Sequence, residues 1–468
     1  TESTSAATGL NLSLRETPQS VTVITRQRME DENLNSVGRV LDVTPSVSLV
    51  RAGASSSPAV GEIFYARGFE VNNYQVDGLP VSQLGLQAMA GTRSGIGGTS
   101  TAIYDQVTVV RGATGLLNGA GNPAAAINLV RKRPTSGFQG FAEMSAGRWG
   151  RWDGLVDLSG PLNAPKTLRG RLVAGEGGGG EWMDRHRGAR NGVFYGVLEA
   201  DLAPTTLLTV GLEHTRNRDR GISFNNFMRV DTEGNPTHFA RTANASASWA
   251  YADVQRSNAF ATLDHQFGGG WKARLSLNQT RLDHDQVFGF ARGDIDAETG
   301  ASSFEYGRTK YTPRTTGVNL QLSGTYSLFG RQHELIMGLS HETLKASDPG
   351  YAYSFDVPID NIYQFAHTGD IAVDPPAQTG SQDSRIRQSG GYLATRLKPM
   401  DGLAVIAGAR VSNYRLRDNW SEIDESGVVT PYLGVVADLG KQVSAYASYT
   451  SIFNPQSYQD RSGKTLPP

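Results

Sequence analysis

Residues 271–280, WKARLSLNQT, place Trp271, Ala273, Leu275 and Leu277 on one face and Lys272, Arg274, Ser276, Asn278 and Thr280 on the other. Alternation with period two predicts a β-strand with one apolar and one polar side. The pattern returns at 316–326, where Val318, Leu320 and Leu322 oppose Asn319, Gln321, Ser323 and Thr325, and again at 335–343, 403–411, 429–439 and 443–451. Fainter copies lie at 138–147, 151–159, 167–175, 191–202, 207–214, 257–266 and 385–397, which makes thirteen predicted strands. Each has roughly the 9–11 residues that cross a bilayer when the strand tilts.

The connections alternate in length. Short turns at 161–166, 203–205, 268–270, 329–331, 398–402 and 440–442 are interleaved with long loops at 176–190, 215–255, 282–314, 345–384 and 415–427. Hairpins on the periplasmic side of an outer-membrane barrel are short, and those on the outside are long. A soluble sandwich or propeller has no reason for that asymmetry. The prediction is a mostly β protein, a large transmembrane antiparallel barrel over residues 135–468. An odd strand count does not close a single-chain barrel. Plugged barrels have about 22 strands, so about nine more are expected beyond an incomplete C-terminal end.

Residues 1–134 lack this rhythm. Strands are predicted at 19–25, 64–69, 74–76, 106–110 and 126–131, and short helices at 26–33 and 36–42, the second capped by Ser36. This is a small α+β domain ahead of a large barrel whose lumen is wide enough to need a plug. It ends in the run DQVTVVRGATGLLNGAGNPAAAINLVRKRP, from Asp105 to Pro134.

Composition narrows the picture. A formal net charge of -1 over 468 residues gives no electrostatic case for a nucleic-acid partner. The 55 glycines favour turns and sheets over helices. With no cysteine, disulfides, thiolate metal sites and cysteine nucleophiles are excluded. No apolar run is long enough for a membrane-spanning helix, and no nucleophile motif accompanies a Ser/His/Asp set, so an enzyme is not expected. Gly119-Ala120-Gly121 lacks the lysine and hydroxyl of a phosphate-binding loop, and Asp283-His284-Asp285 alternates across a strand.

The segments PQSVTVIT, YARGFEVNNYQVDGLP and VVRGATGLLNGAGNPAAAINLVRKRP resemble the plug motifs of TonB-dependent outer-membrane receptors. The wording is nearest to receptors for ferric siderophores of the hydroxamate and pyoverdine type, and TSIFNPQS at 450–457 resembles a barrel segment of that subgroup. The resemblance implies a Gram-negative outer-membrane location in contact with lipid and lipopolysaccharide, and a monomeric receptor. It also implies a TonB–ExbB–ExbD energy-transducing partner. Iron would arrive already wrapped by its chelate, so no cofactor or protein metal site is implied.

Such a receptor needs aromatic walls and a few convergent polar groups. The predicted outer loops offer Trp182, Phe224, Trp249, Tyr351 and Trp420, beside Phe227, Tyr353 and the plainer alternative that they anchor loops to one another. In related plugs the arginine of the RGF motif faces the pocket, which points to Arg67 and to the nearby Ser82 and Gln83. Arg111 and Arg133 resemble plug arginines that pair with carboxylates of the barrel wall. Two other readings stay open: a receptor for haem or a vitamin, against which the loop histidines show no paired motif, and a passive porin, which has no use for an N-terminal domain.

Overall fold

The computed structural model describes residues 3–51, 62–81, 96–180, 182–186, 189–221, 223, 226–456 and 461–462. Residues up to Arg131 build a mixed domain around a five-stranded sheet, in the order Val21–Thr25, Tyr104–Arg111, Ala125–Arg131, Asn73–Val76, Leu79–Val81. Ala125–Arg131 is buried between an antiparallel and a parallel neighbour. Its sequence, AAINLVR, is accordingly almost continuously apolar rather than alternating. Helices Arg26–Asp31 and Val37–Asp42 cover one side, with Thr25 and Ser36 as N-caps. Their Met29, Val37, Val40 and Leu41 join Ile24, Phe64, Val107, Val109, Ile127 and Leu129 in one core.

That core does not stop at the domain edge. Val173, Tyr195 and Val197 of the following sheet belong to it. The sheet runs from Gln139–Ala146 to Ser444–Thr450 as thirteen antiparallel strands, and each of the thirteen predicted strands falls on one of them. Inside and outside are inverted relative to a soluble protein. Leu158, Leu198, Leu212, Leu277 and Leu320 are exposed, while Asp157, Glu199, Glu213, Ser276 and Asn319 on the other face are buried. One row of directly paired residues, Leu208, Leu263, Leu275, Leu320 and Leu339, crosses five strands on the outer face. An apolar exterior over a polar interior is the arrangement of a membrane barrel. The plug meets the wall at both ends of the strand path, through Lys132 to Asp157 and through Arg15 to Asp438, so the sheet curls around it.

Several outer connections predicted as loops are strand instead. Lys272–Arg292 and Arg331–Tyr351 each run 21 residues, Gln378–Met400 runs 23, and Ser302–Tyr311 and Ser354–Ile359 add a side branch. Above the membrane the outer face no longer touches lipid, so the apolar half of the alternation disappears while backbone pairing continues.

Candidate ligand-binding apex and plug–wall interface

Arg67 and Gly68 are the two central residues of the hairpin joining Glu62–Ala66 to Phe69–Glu70. Both have positive φ, 54° and 84°, as a two-residue type I′ turn requires. The turn leaves the Arg67 side chain exposed and brings its guanidinium alongside Gly112. Gly112 follows Arg111, which pairs with Ala125 at the end of the central strands remote from Arg131. Arg67 therefore lies at the plug end opposite the short periplasmic turns. Ser82, Gln83 and Phe224 lie outside the described residues.

Among the described residues, Arg111 does not reach the wall. Its Nη2 and Nε donate to Pro45 O at 2.5 and 3.2 Å, and its Nη1 to Thr22 Oγ1 at 2.9 Å. Burial, and after it the charge of Arg67, pull Arg111 below the ordinary arginine value. The position predicted to dock the plug instead braces it internally. Arg133 does meet a wall carboxylate, with Nε 2.6 Å from Glu199 Oε1.

The denser contacts come from its two neighbours, which sequence reasoning passed over. Arg131 donates to Asp77 at 3.0 Å, to Asn258 at 2.8 Å and to Glu213 at 3.3 Å, and its guanidinium lies 4.1 Å from the Phe260 ring centroid. Lys132 Nζ lies 2.8 Å from Asp157 Oδ2, which also accepts from Arg171 at 2.7 Å. On the opposite arc the buried Arg410 donates to Leu117 O at 3.2 Å and to Ser340 Oγ at 2.8 Å, and Arg396 bonds Glu16 at 2.8 Å. The available signal was on the wall: Asp157 and Glu199 each stand at a lumen-side position flanked by outward apolar residues, and Glu213 follows the outward Leu212 in the same alternation.

The aromatic candidates divide. Trp182 and Trp420 are 48% and 61% exposed in the outer connections. Trp249 is structural: its Nε1 donates to Ile371 O at 3.1 Å, and its ring meets Phe304 and Tyr306 edge-on. It belongs to an apolar cluster with Ala245, Ile295, Ile362 and Phe365 that ties the outer connections together. Arg185 fastens that canopy, donating to Ala366 O and His367 O at 2.7 and 2.8 Å and to Ser246 O at 3.2 Å. Tyr351 carries the Arg308 guanidinium 5.0 Å above its ring. Among the described residues no group of three or more metal-ligating side chains converges; Asp283 and Asp285 pair with Arg281 and Arg308.

With this geometry in view, comparison with known proteins is decisive. The TonB-dependent receptor plug domain family matches residues 13–126, and the TonB-dependent receptor-like β-barrel family matches residues 192–467. The chain belongs to the TonB-dependent receptors. As a member of that family its barrel lies in the Gram-negative outer membrane. The chain is 37% identical to the ferric-pyoverdine BN7/BN8 receptor of Pseudomonas putida, over all of its own length and 58% of that protein's. It is also 37% identical to the ferripyoverdine receptor of Pseudomonas aeruginosa, over 99% of its length and 56% of the relative's. The solved pyoverdine outer membrane receptor FpvA from Pseudomonas aeruginosa PAO1, bound to pyoverdine, superposes with a TM-score of 0.91 at 35% identity. That superposition covers 99% of this chain and 67% of the other. The chain thus spans somewhat more than half the length of the curated relatives it matches.

Proposed function

We propose that this TonB-dependent receptor binds a ferric siderophore of the pyoverdine class at its outer face. Import of the bound chelate would then be driven by the TonB–ExbB–ExbD complex acting on the plug from below. The observation that carries the reading is Arg67, an unburied cation held by a fixed turn at the outward end of the plug. Its planar, permanently charged fork suits the anionic oxygens of a chelate. Trp182 and Trp420, exposed in the outer connections, offer apolar surface for such a ligand. Similarity to ferric-pyoverdine receptors supports the cargo class. The protein's part is recognition, since the iron travels with its own ligands, and nothing in this scheme calls for chemistry on the cargo.

The test is titration of the purified chain with ferripyoverdines, a ferric hydroxamate, haem and a cobalamin, read by tryptophan quenching. Saturable quenching by a ferripyoverdine at the lowest concentration is expected. Preferential binding of haem or cobalamin would replace the siderophore reading.

A further inference from the structure

Arg185 is a half-buried cation held by carbonyl oxygens. Its Nη1 donates to Ala366 O and His367 O at 2.7 and 2.8 Å, and its Nη2 donates to Ser246 O at 3.2 Å and to Asn244 O. Among the described residues no carboxylate bonds it. The two nearest are engaged elsewhere: Asp184 Oδ2 accepts from Thr242 Oγ1 at 3.2 Å, and Asp370 Oδ1 accepts from Ser248 Oγ at 3.1 Å. Burial pulls the guanidinium below the ordinary arginine value, and the charges of Asp184 and Asp370 oppose that pull.

The four carbonyls belong to two separate pieces of chain. Ala366 and His367 lie in the last turn of the helix Ile362–Thr368, where carbonyls have no partner inside the helix. Asn244 and Ser246 are fully buried in the connection that precedes the strand Tyr251–Gln266. That connection is itself bonded to the long strand Lys272–Arg292, through Ala247 N to Gly289 O and Ala291 N to Ala245 O, both at 2.8 Å. A planar fork with donors on two prongs spans such a gap, whereas an ammonium is a single point.

The backbone is shaped for this contact. Arg185 has φ 64°, which L-residues rarely adopt. Gly369 and Gly221, at φ 63° and 69°, leave the room: a methyl at Gly369 would lie 2.3 Å from Arg185 Nε, and one at Gly221 2.3 Å from Arg185 O. Trp182, three residues before Arg185, is exposed on the same turn, whose other bonds run to the 242–244 segment, from Asp184 N to Thr242 O at 2.7 Å and from Asn244 Nδ2 to Asp184 O at 2.9 Å. Arg185 carries the link from that turn to the helix.

We infer that Arg185 is a positioning residue for cargo recognition, a clasp that joins three outer connections and sets Trp182 in its binding orientation before any ligand arrives. The inference rests on the proposed reading of the chain as a ferric-siderophore receptor. Order present before binding need not be created during it, so a clasped rim binds more tightly than a loose one with the same contacts. Without the clasp only a fraction of molecules hold the competent arrangement, and apparent affinity falls by that fraction.

The test uses the full chain in detergent micelles and has two arms. The chain has no cysteine, so Trp182→Cys takes a single nitroxide spin label, read without cargo. The label should be immobilised when Arg185 is present and mobile in Arg185→Ala. Millimolar guanidinium chloride should immobilise it again, and ammonium chloride at the same concentration should not. Gly369→Ala should mobilise the label with the arginine still in place, and guanidinium should not reverse that. In the second arm, with Trp182 retained, Arg185→Ala should weaken ferripyoverdine binding about tenfold, Arg185→Lys by less, and guanidinium should recover most of the loss in Arg185→Ala. An immobile label in Arg185→Ala would overturn the inference. So would a mobile label with unchanged affinity, which would leave Arg185 a structural role only. A wild type that ignores ferripyoverdine would refute the cargo reading instead, and the label arm would still report whether the clasp exists.

Discussion

Lys132 of the plug and Asp157 of the wall meet at 2.8 Å with side chains only 7% and 6% exposed. Burial pulls Lys132 below the ordinary lysine value, and its hydrogen bond to Asp157 opposes that pull. Arg171 shares the same carboxylate, so one anion serves two cations. A buried pair of this kind says little about net stability when intact, but removing one partner leaves an uncompensated charge.

Asp157→Asn should therefore destabilise the plug–wall interface by about 3–5 kcal/mol, the usual scale for breaking a buried pair. Hydrogen exchange in Ala125–Arg131, the strand that leads into Lys132, should accelerate. Adding Lys132→Met should restore part of the protection. If the double variant exchanges as fast as the single one, the stranded lysine is not the cause.

Glu16 provides a pH-dependent contact at the other side of the plug. Burial works against its ionisation, but hydrogen bonds from Ser13 and Arg396 outweigh this and hold its carboxyl at about 2. A depressed carboxyl stabilises above its unfolded value, near 4.3, and the contribution fades as pH falls toward the folded value. Docking of the segment around Leu14–Glu16 should weaken between about pH 4.3 and 2 in wild type. In Glu16→Gln the weakening should already be present at neutral pH and change little on acidification. The difference in hydrogen exchange between the two proteins across that range checks the sign.

Arg67→Ala should weaken ferripyoverdine binding by about 1.5–3 kcal/mol, the scale of a hydrogen bond to a charged group. Plug folding should survive, because Gly68 maintains the turn and the arginine side chain is exposed. Tryptophan-quenching titration reads the affinity, and an unchanged value in a correctly inserted protein would assign Arg67 to the turn alone.

The tryptophans separate ligand contact from support. Replacing Trp182 and Trp420 by Phe should remove most ligand-induced quenching. Trp271→Phe should leave it intact, since that ring covers Gly324 near the short-turn end of its strand. A methyl at Gly289 would overlap the Trp249 and Phe304 rings. Gly289→Ala should therefore loosen the canopy by about 1–3 kcal/mol, as overpacking does. The readout is faster proteolysis of the outer connections with quenching by tightly bound ligand retained.

The wall was legible because lipid on one side and a polar lumen on the other impose period two on every crossing strand, as WKARLSLNQT displays. Its outward extensions were not, because residues such as Leu282, Asp283 and His284 face water, other loops or the canopy, and no single solvent pair sets the alternation there. The plug arginines were legible as a cluster but not as individuals. Arg111 and Arg131 end neighbouring strands of one sheet, and only three-dimensional register shows that the first points at Pro45 O and the second at Glu213. Arg410 gave no signal at all: it stands in an alternating strand like any other lumen residue, and its partner on the plug is a backbone carbonyl.

The order of strands in the plug sheet also makes it mechanically uneven. Val21–Thr25 is an edge strand held on one side only, by Tyr104–Arg111. The central strand Ala125–Arg131 is flanked on both sides and fastened to the wall by the residues that follow it. Tension applied from the N-terminal end would reach the short Ser3–Thr4/Leu12–Ser13 ladder first, then the side-chain latches at Arg15 and Glu16, and the edge strand after them. The anchored centre would feel it last. Pulling on the chain from that end in a single-molecule extension experiment should yield a small early step before any large one, with the barrel still gripping half of its plug.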